Sequence, residues 1–141
     1  MDIIFRMDNK AYVFFWLDVY DPDEISEITR QMGLEPTQIL STGKSKAGGG
    51  TIPFSIWEVV SPLPETELVD QHIEALLGLL KERAEVVKAL AEHHECGIHC
   101  QLSCYSTEDQ PWQMPVWKPT VQALAQLGLS ITFELFYLGG Q

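Results

Sequence analysis

The chain has 141 residues and a mass of 15.9 kDa, the size of one compact domain. Apolar residues make up 45 % and charged residues 21 %, which excludes a disordered or low-complexity chain. Twenty Asp and Glu against nine Lys and Arg leave a formal charge of -11, which argues against nucleic acid or an anionic membrane surface as the partner.

Two further exclusions concern location. No apolar run approaches the roughly 18 residues of a membrane span. Met1 to Arg6 lacks the basic start and long apolar core of a secretion signal, so a cytoplasmic location is expected. Three cysteines, Cys96, Cys100 and Cys104, form an odd set without an export signal, which reads as reduced thiols.

The first strong signal is Tyr12-Val13-Phe14-Phe15-Trp16-Leu17. Val13, Phe15 and Leu17 fall on one face and Tyr12, Phe14 and Trp16 on the other, so the run predicts a central strand solvated on neither face. Asp21, Pro22 and Glu24 then combine an N-cap, a first-turn proline and a capping partner. Ile25, Ile28 and Met32 follow at helical spacing, and Gly33 supplies the stop. A short strand is predicted near Gln38–Ser41 and another over Phe54–Val60, ended by Pro62 and Pro64. The glycine-rich stretch Gly43–Gly50 lies between them, so the two strands are expected to form an antiparallel hairpin.

From Glu65 to His94 the stripe Val69, Ile73, Leu76, Leu80, Ala84, Val87 and Ala91 repeats at intervals of three and four. An unbroken helix of that length would run about 45 Å, against a radius of about 14 Å for a compact chain of this size. A break between Gly78 and Arg83 is therefore expected. Gly97 to Tyr105 predicts a strand, and a loop with Pro111, Trp112 and Pro115 follows. A last helix opens at Pro119 and stops at Gly128, and the final strand runs from Leu129 to about Leu138. Along it Ile131, Phe133 and Leu135 alternate with Thr132, Glu134 and Phe136.

The order predicts a single α+β domain over residues 1–141. Its first six elements, β-α-β-β-α-β, follow the ferredoxin-like order, with an additional α-β unit appended. Such layering puts the helices on one face of a mixed sheet, and right-handed crossovers make the strands of each β-α-β pair parallel.

Asp21-Pro22-Asp23-Glu24-Ile25, Gly33-Leu34-Glu35-Pro36-Thr37, Trp57, His72-Ile73-Glu74-Ala75-Leu76-Leu77 and Leu127-Gly128-Leu129 together resemble the bacterial family catalogued as domain of unknown function 4279. The resemblance covers most of residues 12 to 137. It implies no activity, substrate or catalytic residue.

His93-His94-Glu95-Cys96-Gly97-Ile98-His99-Cys100, with Cys104 beyond, holds the side chains that zinc and copper prefer. The spacing lacks a C-x-x-C or H-x-x-x-H pair, and Cys100 and Cys104 on a strand share the core face with Ile98 and Leu102, while His99 points the other way. Four residues of strand also hold Cys100 and Cys104 about 13 Å apart, beyond the roughly 7 Å limit of a disulfide. A nucleophilic thiol needs an electropositive site, and Glu92 and Glu95 make this neighbourhood acidic. Gly43-Lys44-Ser45 lacks the spacing and the following helix of a phosphate loop. Glu67, Asp70, Glu74, Glu82, Glu85 and Glu92 read as a solvated helix face.

No catalytic constellation and no cofactor are implied. The candidate surface is the sheet face opposite the helices, with Tyr12, Phe14 and Trp16, joined by Trp57, His99, Gln101, Thr132, Glu134 and Phe136. The expected function is a non-catalytic interaction module. Its partner would be a protein, basic for charge reasons as with an immunity-like or inhibitor protein, or a second copy in a homodimer. The alternative is a small-ligand or transition-metal domain using residues 93–104 or the aromatic face.

Overall fold

A computed structural model describes residues 10–45, 51–104 and 115–137. The strands are β1 (Lys10–Val19), β2 (Gln38–Ser45), β3 (Thr51–Val60), β4 (Cys96–Cys104) and β5 (Ser130–Tyr137). The helices are α1 (Glu24–Met32), α2 (Val69–Lys81), α3 (Ala84–His93) and α4 (Lys118–Leu127). Expectations that rest on residues 1–9, 46–50, 105–114 and 138–141, among them the tip of the glycine-rich stretch and the loop at Trp112, lie outside the described residues.

The protein is α+β, with one five-stranded mixed sheet in the order β2-β3-β1-β4-β5. β1 sits in the middle, antiparallel to β3 on one side and to β4 on the other. Its sequence accounts for that place, because Val13, Phe15, Leu17 and Val19 are buried on one face and Phe14 on the other. β2 and β3 form the expected antiparallel pair, both longer than predicted. β5 runs parallel to β4, joined to it through α4.

The four helices cover one face. Ile28 and Met32 of α1, Ile73, Leu76 and Leu80 of α2, Val87 of α3, and Leu124 and Leu127 of α4 share a core with Val13, Phe15, Leu17, Ile98, Cys100 and Leu102. The long predicted helix breaks as its length demands. α2 ends at Lys81, Arg83 takes φ -130° and ψ 39°, and α3 begins at Ala84. The break falls past Gly78, which stays inside α2.

α1 and α4 each stop at a glycine in the left-handed region, Gly33 at φ 65° and Gly128 at φ 78°, where a Cβ would be strained. The first turn of α1 differs from expectation by a few residues. Asp21 does not cap it: its carboxylate accepts the Asp23 N–H at 3.0 Å in a turn ahead of the helix, and the regular helix starts only at Glu24, behind Asp23, whose side chain makes no capping hydrogen bond. α4 starts one residue earlier than expected, with Pro119 in its first turn.

One assignment needs correction. Trp57 does not lie on the aromatic face. Side chains directly opposite in an antiparallel ladder share a face, and Trp57 pairs with Leu17, a helix-facing residue. Trp57 is 0 % exposed, meets Phe15 edge-on at 6.2 Å, and donates its indole N–H to Thr29 Oγ1 at 3.0 Å. Reading Phe54–Val60 without its register left this parity undetermined, and a slip of one residue exchanges the two faces.

Candidate functional site

The face away from the helices runs across all five strands, and the predicted residues that lie on it come from β1, β4 and β5. Tyr12, Phe14 and Trp16 alternate with the core residues of β1. His99 stands opposite Phe14 and Gln101 opposite Tyr12. Thr132 stands beside His99, and Glu134 beside Gln101. Five of the six predicted aromatic and imidazole positions, Tyr12, Phe14, Trp16, His99 and Phe136, thus share this face, and Trp57 is the exception.

Their exposure is uneven. Phe14 is only 6 % exposed, whereas Phe136 is 42 % exposed. Tyr12, Trp16 and His99 are half-buried. Phe14 sits between two rings, with Tyr12 tilted at 5.2 Å and His99 stacked at 5.1 Å and 8° from parallel. The face is therefore a packed aromatic patch rather than a set of free side chains.

Carboxylates flank it. His99 Nε2 donates to Glu134 Oε1 from one strand to the next. Glu58, opposite Trp16 on β3, is buried and accepts a hydrogen bond from Gln38 Nε2 at 2.7 Å. Burial pushes the Tyr12 hydroxyl above its ordinary range, and the charges of Glu58 and Glu65 add to that. Glu58 was not singled out from the sequence. Its signal was a carboxylate inside an apolar strand, the kind of residue that needs a partner to be buried.

At the edge of this face Trp16 passes beside Gly97, which has no room for a Cβ, since one would lie 2.6 Å from the backbone oxygen of Ser130. The Trp16 Nε1 atom is buried without a hydrogen-bond partner among the described residues. Beside it a crevice of about 480 Å³ is lined by Trp16, His94, Glu95, Cys96 and Ser130, together with Ala91 and Gly128.

The described His and Cys side chains of residues 93–100 divide between the two sides of the sheet. Cys96 and Cys100 are buried on the core side, where burial pushes Cys100 up to about 12 and Cys96, beside Asp18, up to about 11. His99 faces the opposite side of the sheet. His94 ends α3 and donates from Nδ1 to the Asp18 carbonyl at 2.9 Å, which ties that helix to the end of β1. Among the described residues no three His, Cys, Asp or Glu side chains are grouped to hold a metal ion. Among them, too, no helix is long and apolar enough to cross a membrane.

The family model described as Domain of unknown function (DUF4279) matches residues 9–138, and the chain belongs to that family. No curated protein and no solved structure gives a significant match.

Proposed function

We propose that this DUF4279 member is a non-catalytic interaction module that binds a basic protein through its aromatic sheet face. The observation that carries the reading is the Tyr12–Phe14–His99 ring cluster bordered by Glu58 and Glu134 on a chain of formal charge -11. Aromatic faces beside carboxylates suit a guanidinium or ammonium group, which gains from ring and charge together. A strongly acidic surface also speeds capture of a cationic partner. An inhibitor or immunity-like role would use these same features.

The reading is tested by pulldown with the full chain as bait at low and high salt, beside Tyr12→Ala and Phe136→Ala. A basic protein retained at low salt, released by high salt and weakened by both substitutions supports it. A partner indifferent to salt, or no protein partner, overturns it.

A second reading rests on the crevice beside Trp16. It joins the aromatic face to His94 and Cys96, and it would hold a small polar ligand rather than a protein. Stoichiometric binding of a small molecule that Ser130→Trp abolishes, with the pulldown empty, would favour it.

A further inference from the structure

β5 is an edge strand with no partner among the described residues on its outer side. Natural edges are usually blunted by lysine, proline, a bulge or brevity. The eight residues Ser130-Ile131-Thr132-Phe133-Glu134-Leu135-Phe136-Tyr137 contain neither proline nor lysine, and their ladder with β4 is unbroken. The opposite edge, β2, differs, since Gln38-Ile39-Leu40-Ser41-Thr42-Gly43-Lys44-Ser45 carries both a glycine and a lysine.

Three apolar side chains of β5 are also exposed, while Ile131 packs partly against the core. Phe133 is 39 % and Leu135 55 % exposed on the helix side, and Phe136 stands out on the other face. Trp117 and Val121, before and within α4, are exposed as well.

Charge then selects the occupant. From Val116 to Tyr137 the chain carries one cation, Lys118, and one anion, Glu134, and that carboxylate is held by His99. The segment is neutral, so the whole formal charge of -11 resides elsewhere in the chain. Two copies of so acidic a protein repel each other wherever their charged surfaces meet. The α4–β5 unit is neutral and can meet its own copy without that cost. The outer edge of this unit offers a basic partner no net charge, since its one carboxylate is engaged by His99 on the inner side.

We infer that β5 pairs antiparallel with β5 of a second copy about a two-fold axis perpendicular to the sheet, joining the two sheets into one of ten strands. A two-fold contact of a patch with itself closes after two chains, whereas β2-to-β5 pairing would continue as a filament. Ile131, Phe133 and Leu135 of each copy then face the same set of the other. A register centred on Phe133 sets Glu134 opposite Thr132 and keeps the two carboxylates apart.

The test is light scattering of the full chain over a wide range of concentration, wild type beside Leu135→Lys and Tyr12→Ala. Hydrogen exchange of the wild type is followed over the same range. The wild type is expected at twice 15.9 kDa, Tyr12→Ala likewise, and Leu135→Lys as a folded monomer. The amides of residues 130–137 should gain protection as concentration rises. A monomer at every concentration, a dimer whose β5 amides exchange as in the monomer, or a ladder of larger species would each overturn the inference. If Leu135→Lys fails to fold, the exchange of the wild-type amides decides alone.

Discussion

The imidazole of His99 lies parallel to the ring of Phe14, 8° from coplanar with centroids 5.1 Å apart, and the same imidazole donates to Glu134 on the next strand. One side chain thus ties β1, β4 and β5 together on the face that carries no helix. The two contacts differ in weight, because Phe14 is buried while Glu134 remains substantially in water.

Phe14→Ala is expected to cost about 3–5 kcal/mol, the range for deleting a buried aromatic ring. Glu134→Gln should cost under about 1 kcal/mol, because it alters only a polar contact whose carboxylate side is largely in water. Urea unfolding of the two variants beside the wild type measures both. Equal losses would show that the contact of His99 with Glu134 weighs as much as the ring in holding this face together.

The Trp57 indole donates to Thr29 Oγ1, and the Thr29 hydroxyl in turn donates a hydrogen bond to the Ile25 carbonyl at 3.0 Å. Thr29→Val keeps the side-chain shape and removes the acceptor, leaving a buried N–H unpaired. A loss of about 1–3 kcal/mol is expected, with a shift in tryptophan fluorescence. A variant as stable as the wild type would show that the hydrogen bond does not anchor α1 to the sheet.

His72 is buried in α2, its Nδ1 2.7 Å from Ser61 Oγ. Burial holds its imidazole below the ordinary range, against the opposing pull of Glu67, Glu65 and the carbonyls of Pro64 and Glu67. The folded value being the lower one, the unfolded chain binds the proton more readily. His72 therefore contributes its full stability above about pH 6.5 and loses it as pH falls below that, at up to about 1.4 kcal/mol per pH unit. Urea midpoints between neutral and mildly acid pH should fall less steeply in His72→Gln. An unchanged slope would assign the acid sensitivity to other groups.

Cys96 and Cys100, both buried and with thiols raised to about 11 and about 12, hold almost no thiolate at neutral pH. Neither is expected to react with a thiol reagent until the protein unfolds. Site-resolved mass spectrometry after labelling with and without denaturant checks this. Rapid labelling of either cysteine in the folded protein would show that β4 opens on its own.

Much of the local structure was legible in the sequence. The aromatic run from Tyr12 to Leu17 announced a central strand because both of its alternating sets are apolar. The stripe from Val69 to Ala91 was too long for a compact chain to leave straight, and α2 and α3 part at Glu82 and Arg83. Gly33 and Gly128 marked two helix ends through a backbone conformation that other residues rarely adopt. All of these signals act within a few residues along the chain.

Register is different in kind, since it depends on which residues of distant strands come opposite one another. Trp57 could have faced either layer until β3 aligned it with Leu17, and Glu58 then fell beside Trp16 on the other face. The meeting of His99 with Glu134, 35 residues later, likewise required β5 to run parallel to β4. The sequence by itself determined the elements, their order and the excess of negative charge. Tertiary structure alone decided which aromatic side chains share a surface, because the period-two alternation of a strand defines two faces without saying which one the helices cover.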